Sequence, residues 1–200
     1  MMGEFPEHEI VCEQPLEVIS YKIGLVVVDP KGKECKTTFQ RVSYKDGVSI
    51  VKCLPKSGRM HQIRVHLQYL GFPIANDPLY NSTIFGPEKG KNGEFGKSRD
   101  QLIEDMIKHH SVENWIESEE YKKCRQTSDN LDNTSDDKMN DVAAETVDNS
   151  EYFDEHCVEC RTVYKDPPPD TLVMYLHALR YTCQHQGWSY STEMPDWAKL

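Results

Sequence analysis

Residues 59–66 bring together two arginines, two histidines and a glutamine, side chains that pair with anions and carry protons. Apolar side chains recur at helical spacing within this stretch and just after it, at Met60, Ile63, Leu67 and Leu70. This pattern predicts a helix over residues 59–70 with one buried stripe. Gly71 is expected to close the helix as its C-terminal cap, and Pro73 prevents any continuation.

The predicted helix places His61, Arg64 and Gln68 three and four residues apart, on a face next to the apolar stripe. Two interpretations fit this arrangement. The three side chains could line a site on a rigid helix, or they could form the solvated polar face of an ordinary amphipathic helix. Spacing alone favours the solvated face.

The identities of the residues shift that balance. The stretch from Gly58 to Leu67 reads Gly-Arg-Met-His-Gln-Ile-Arg-Val-His-Leu, and Asn76-Asp-Pro-Leu-Tyr80 follows it. It resembles the C-terminal signature of the RluA-type RNA pseudouridine synthases, which is close to Gly-Arg-Thr-His-Gln-Ile-Arg-Val-His-Leu followed by Gly-Asp-Pro-Leu-Tyr. The match runs over about twenty contiguous positions, which is far more than a short motif shares by chance. Matching family segments also occur at Leu176-His-Ala-Leu-Arg-Tyr181 and Met194-Pro-Asp-Trp197.

The resemblance implies an α+β fold with a mixed, mainly antiparallel sheet flanked by helices, here without its N-terminal portion. Local signals agree with this class, because Asp46-Gly47 predicts a hairpin turn between strand candidates at residues 35–44 and 48–54. Residues 21–28 are also rich in strand formers, and a capping pattern at Ser98 predicts a short helix after it.

Charge and composition divide the chain into three parts. Residues 22–99 carry 14 Lys/Arg against 6 Asp/Glu, whereas residues 101–160 carry 5 against 17. We therefore expect the C-terminal part of a synthase domain at residues 1–110, a largely disordered acidic insertion at residues 111–156, and the closing segment of the same domain at residues 157–200. A second, weaker helix is predicted within the insertion, around Trp115. The basic part gives mild support for an RNA partner, although an ordinary solvated surface has the same balance.

In the family, an aspartate attacks the target uridine, no metal or cofactor takes part, and an arginine pairs with that aspartate. The resemblance assigns this arginine to Arg64. A guanidinium keeps a buried carboxylate charged and directs it through two parallel hydrogen bonds. Arg59 and His61 are the candidates to contact RNA, and a local packing role is the alternative for both.

The family's His-Arg-Leu-Asp segment, which carries the nucleophile, does not occur in these 200 residues. The three aspartates of residues 22–99, which are Asp29, Asp46 and Asp77, all lie in predicted turns, so none of them is a candidate nucleophile. We therefore expect the chain to be inactive by itself, whether it is a truncated product, a partial gene model or a degenerate copy. A non-catalytic RNA-binding remnant is the alternative function.

Cys157 and Cys160 form a Cys-X-X-Cys pair that could bind zinc with further ligands, which would make the chain a zinc-stabilised interaction module. Two reduced thiols are the preferred interpretation, because one pair supplies only two of the four usual ligands. Seven scattered cysteines, with no signal peptide or membrane-spanning stretch, predict an intracellular protein in the cytoplasm or nucleus, with the mitochondrion left open. The expected partner is RNA, by resemblance a tRNA, and no membrane.

Overall fold

The computed structural model describes residues 1–111, 154, 156–157, 160, 162–167, 169–183 and 185–199. The chain divides into two compact units, one formed by residues 1–108 and 168–200 and the other by residues 109–167. Nearly all of the second unit lies outside the described residues. The predicted helix around Trp115 and the predicted acidic insertion therefore stay predictions.

The described residues form seven strands, paired antiparallel in three separate sheets. One sheet has three strands in the order β1-β4-β5, and the pairs β2-β3 and β6-β7 form the other two. The strands are β1 (Ile10–Cys12), β2 (Leu16–Ser20), β3 (Leu25–Val28), β4 (Thr37–Lys45), β5 (Val48–Pro55), β6 (Arg180–Cys183) and β7 (Trp188–Ser191). The helices are α1 (Gln62–Tyr69) and α2 (Arg99–His109). The predicted α+β class with antiparallel sheet is confirmed.

The β4–β5 hairpin turns at Asp46 and Gly47, whose φ angles are 50° and 76°. Two consecutive positive φ values make the turn that matches the twist of paired strands, and Asp-Gly tolerates them best. The predicted hairpin is therefore confirmed. Its register places Phe39 opposite Cys53, on the face that packs into a core beneath the sheet.

Helix α1 begins at Gln62, three residues later than predicted, because His61 adopts a left-handed conformation with φ 55°. Met60 precedes the helix and is 41% exposed, so its predicted place in the buried stripe is wrong. The predicted C-terminal end is correct. Gly71 has φ 85°, and the amides of Gly71 and Phe72 donate to the carbonyls of Gln68 and Leu67, as in a Schellman cap.

Helix α1 lies between two apolar clusters, to which it contributes Val65 on one side and Leu67 on the other. The first cluster joins α1 to β2, β3 and α2, and the second joins it to the three-stranded sheet. The fully buried rings are Phe5, Phe39, Tyr80 and Phe85. A helix enclosed on two sides buries its polar residues as well, so the solvated polar face that spacing alone favoured is wrong.

Helix α2 confirms the capping pattern that the sequence shows at Ser98. The Ser98 hydroxyl accepts a hydrogen bond from the Gln101 amide at 3.2 Å, and its carbonyl accepts one from Leu102. The helix buries Leu102 and Met106 in the first cluster. Among the described residues, neither helix is long and apolar enough to cross a membrane.

Residues 173–175 are held by the side chain of Asn76 and by the packing of Met174 against the second apolar cluster. The Asn76 amide nitrogen donates to the Val173 carbonyl at 2.6 Å, and the Tyr175 amide donates to the Asn76 side-chain oxygen at 2.8 Å. The chain then runs through an exposed connection at residues 176–179 into the β6–β7 hairpin.

Replacing Asn76 with alanine should release residues 173–175, because their two hydrogen bonds to the Asn76 side chain are lost. Hydrogen–deuterium exchange followed by mass spectrometry should show roughly tenfold faster exchange of the Tyr175 amide. Asn76→Asp keeps the acceptor for that amide and should exchange like the wild type at Tyr175. Unchanged exchange in Asn76→Ala would show that the side chain does not hold this segment.

Candidate active site

The stretch that leads into α1 is organised by Gln62, which is almost completely buried. Its side-chain oxygen accepts hydrogen bonds from the Ser57 hydroxyl at 2.9 Å and from the Arg59 amide at 3.0 Å. Its amide nitrogen donates to the Lys36 carbonyl and to the Thr37 hydroxyl. Four hydrogen bonds on one side chain use its full capacity, so Gln62 fixes the path of residues 57–59.

Arg64 projects from the first turn of α1 onto Asp77. Its Nε and Nη2 atoms each donate to one carboxylate oxygen of Asp77 at 2.7 Å, which is a bidentate ion pair. The Asp77 side chain is fully buried, and the Arg64 side chain is 13% exposed. Among the described residues, Nη1 of Arg64 has no hydrogen-bond partner, so this nitrogen is available to a group outside the pair.

Asp77 also fixes the turn that follows it. Its Oδ1 atom accepts hydrogen bonds from the amides of Leu79 and Tyr80 at 3.0 and 2.9 Å. Burial alone raises the pKa of Asp77, but the hydrogen bonds from Arg64 and from the Tyr80 amide outweigh it, and the pKa lies below its ordinary value. Asp77 is therefore a charged, fully engaged carboxylate.

Tyr80 connects this ion pair to His61. The Arg64 guanidinium lies over the Tyr80 ring, 4.8 Å from its centroid. The Tyr80 hydroxyl accepts a hydrogen bond from the Val26 amide at 3.1 Å and lies 2.9 Å from Nδ1 of His61. The hydroxyl keeps a proton and a second lone pair for this contact, so the tautomer of His61 decides whether the hydroxyl or Nδ1 is the donor.

The surroundings of His61 favour its neutral form. Burial lowers the pKa of His61, and the nearby positive charge of Arg64 lowers it further. The side chain is held in place although its backbone has a left-handed φ, a conformation that favours glycine and is found at functional sites. A hydrogen bond with the Gly24 backbone acts on this pKa in the opposite direction, so the imidazole contacts both Tyr80 and the turn at Gly24.

The structure brings two of the three predicted site residues together. His61 and Arg64 both contact Tyr80, whereas Arg59 is exposed and donates through Nε to the Glu34 carbonyl at 3.3 Å. Gln68, predicted on the same face, is buried and donates to the Tyr80 carbonyl. Sequence reasoning did not assign a role to Tyr80 or Gln62, and their place within the family signature was the available signal.

The three aspartates that the sequence places in turns do lie in turns. Asp29 accepts a hydrogen bond from the Lys31 amide at 2.6 Å and pairs with Arg99. Asp46 lies in the β4–β5 turn, and Asp77 is enclosed as described. None of these three aspartates places an unengaged carboxylate next to Arg64.

A second buried polar network supports the other side of α1. Nε2 of His66 lies 3.0 Å from the Gln14 carbonyl, and Nδ1 lies 2.9 Å from the Thr37 hydroxyl. A carbonyl can only accept, so Nε2 carries the proton and Nδ1 accepts from Thr37. Cys35 approaches the same Nε2 at 3.3 Å, and its pKa is raised by burial. The pair therefore lacks a free base and a thiolate, and its role is structural.

Cys160 is a free cysteine and is exposed. In the described part of the chain, no group of three or more His, Cys, Asp or Glu side chains could hold a metal ion.

Comparison with known proteins gives relatives that align over nearly the whole chain. Pseudouridylate synthase RPUSD2 of Mus musculus is 38% identical over 225 residues, covering 98% of this chain and 40% of that protein. The Homo sapiens counterpart is 37% identical over 98% of this chain and 42% of its own length. The mitochondrial tRNA pseudouridine(32) synthase of Saccharomyces cerevisiae is 37% identical over 99% of this chain and 40% of its own length. The chain thus spans about two fifths of these relatives. No protein-family model matches it.

Replacing Asp77 with asparagine should destabilise the protein at pH 7 by about 3–5 kcal/mol, because a buried Arg64 loses its charged partner. The pKa of Asp77 is depressed in the fold, so its contribution is complete above the unfolded value of about 3.9 and is lost as the pH falls through the folded value. Urea unfolding at pH 7, 5 and 3 should show the gap between wild type and Asp77→Asn narrowing at pH 3. A gap of constant size would contradict a charged Asp77.

We expect His66 to cause a second pH dependence of the free energy of unfolding, at a higher pH than that of Asp77. Burial lowers its pKa in the folded protein, so the unfolded chain binds the proton more readily once the pH falls below about 6.5. The free energy of unfolding should therefore decrease from pH 7.5 to 5.5, and His66→Gln should flatten that decrease. His8→Gln, a change at an exposed position, is the control and should keep the wild-type slope. An unchanged slope in His66→Gln would refute the assignment.

Proposed function

We propose that this chain, which belongs to the RluA-type family of pseudouridine synthases, contributes the arginine-bearing part of an active site that isomerises uridine to pseudouridine in structured RNA. The observation that carries the proposal is the arrangement of Arg64. Its guanidinium is fixed by Asp77 and Tyr80 on two sides, while Nη1 is left for another group. A cation held in this way is suited to orient a carboxylate that attacks a base.

The chemistry follows from the charge of the attacking group. A carboxylate that is covered by an RNA base loses water and tends to take up a proton, which would end its nucleophilicity. A guanidinium already fixed by Asp77 can supply one more hydrogen bond and a positive charge without any reorganisation. In this proposal Arg64 holds the nucleophile charged and directed, and Asp77 positions Arg64.

The nucleophile itself is assigned to a segment other than the described residues. Asp77 cannot attack a base, because its carboxylate is fully buried and engaged. The family's His-Arg-Leu-Asp string is not among the 200 residues. RNA binding without isomerisation is the alternative function, and the experiment below distinguishes the two.

Recognition of the RNA backbone is proposed for the exposed cations that lead into α1. Lys56 and Arg59 are both exposed, and Gln62 holds the backbone of Arg59. Fixed cations along a loop contact phosphates at little entropic cost, and such contacts position an RNA without reading its sequence. His61, which lies two residues after Arg59, is proposed to contact the same RNA.

The RNA class proposed is tRNA, because the yeast relative carries tRNA in its name. An intracellular location follows from such a substrate. The yeast relative's name places that protein in the mitochondrion, and the same compartment is one of those proposed for this chain.

The proposal predicts that a substitution of Arg64, introduced at its codon in the cell that makes this protein, abolishes the pseudouridine that the protein forms in its target RNA. Arg64→Lys should lower the modification of its target RNA at least about 100-fold, because lysine lacks the second arm of the fork. Mass spectrometry of digested RNA measures the modification, with protein abundance measured beside it. Arg41→Lys, which changes an arginine paired with Glu4 and Glu7, is the matched control and should leave the modification unchanged. Normal pseudouridine in Arg64→Lys cells would refute the proposal.

A further inference from the structure

The turn between β2 and β3 presents a large aromatic ring to solvent. Tyr21 is 85% exposed, which is more than any other large apolar or aromatic side chain among the described residues. The Gly24 amide donates to the Tyr21 carbonyl at 3.3 Å, so residues 21–24 form one tight turn. We propose that this turn, Tyr21 with Lys22, is a stacking platform for an unpaired RNA nucleotide next to the Arg64 site. The inference rests on the proposed function.

The turn lies directly against the candidate site. A Cβ atom placed on Gly24 would lie 3.6 Å from Cε1 of His61, so the closing residue of the turn is in contact with the His61 ring. Tyr21 is only three residues away across a closed turn. A nucleotide stacked on Tyr21 would therefore adjoin one held at His61 and Arg64.

The platform is firmly anchored. Behind the turn, the first apolar cluster buries Leu25 and Val26, and Val27 is buried as well. Strand β3 pairs with β2 along Leu16, Glu17 and Val18. The Val26 amide donates to the Tyr80 hydroxyl, which is the same hydroxyl that meets His61. The hairpin and the site thus share a hydrogen bond, and the ring is presented from a rigid base rather than from a mobile loop.

The chemistry of the turn fits a nucleotide better than a protein surface. Ile23 is partly buried against the first cluster, so the exposed apolar group is one ring and not a patch. A stable protein interface buries much more surface than one ring supplies. Lys22 is exposed beside the ring, and no acidic residue occurs from Val18 to Val28. A ring that stacks on a base next to a cation that contacts its phosphate is the recurrent arrangement for unpaired nucleic acid.

The test is equilibrium binding of the full chain to a fluorescein-labelled RNA hairpin with an unpaired, uridine-containing loop, followed by fluorescence anisotropy. Tyr21→Ala should weaken binding roughly tenfold, while Tyr21→Trp should stay within about twofold of wild type, because either ring can stack. Stacking releases no counterion, so Tyr21→Ala should keep the wild-type slope of log affinity against log salt. Lys22→Ala should reduce that slope by about 0.7, the value for one phosphate contact on a single strand.

Tyr181→Ala is the matched control, since Tyr181 is 71% exposed on the separate β6–β7 hairpin and should be neutral. An abasic nucleotide at the stacked position of the loop should remove the effect of Tyr21→Ala. Equal affinity of wild type and Tyr21→Ala, equal losses from Tyr21→Ala and Tyr181→Ala, or no RNA binding by the wild-type chain would each overturn the inference. The proposed function would remain testable by itself, because the pseudouridine measurement on Arg64→Lys cells does not depend on Tyr21.

Discussion

The ion pair between Arg64 and Asp77 is the interaction on which the candidate site depends. Two buried charges in direct contact are stable only when their remaining hydrogen-bonding groups are satisfied, and Asp77 achieves this with the amides of Leu79 and Tyr80. The same amides fix the turn that places Tyr80 beneath the guanidinium. One carboxylate therefore sets both the direction of the arginine and the position of the ring on which it rests.

Helix α1 carries this pair within an unusual setting, because it buries polar side chains on several faces. Gln62, His66 and Gln68 are all buried and all hydrogen-bonded to neighbouring segments. In the described part of the chain, no buried side-chain nitrogen or oxygen lacks a partner. Networks in which every group is satisfied favour one arrangement over its alternatives, which is a property that a site for precise chemistry needs.

The sequence predicts best where structure is decided locally. The Asp46-Gly47 turn, the Ser98 cap and the Gly71 end of α1 depend on backbone angles and nearby side chains, and all three are confirmed. Helix α1 starts later than its periodicity predicts, because the spacing of apolar residues carries no information on the left-handed backbone angle of His61. Strand β2 (Leu16–Ser20) was missed, because its pairing with β3 gives no clear alternation in the sequence.

The site could be located from the sequence but not assembled from it. The family signature points to Arg64 and His61. The partner of Arg64 is Asp77, thirteen positions along the chain, and this pairing is a tertiary contact that the sequence does not reveal. A double-mutant cycle on Arg64→Ala and Asp77→Ala, read from urea unfolding at pH 7, tests the central claim most directly. If the two residues form the buried pair, the double variant should be more stable than the sum of the single losses predicts, by at least about 2 kcal/mol. Additive losses, within about 0.5 kcal/mol, would show that no such pair holds the site together.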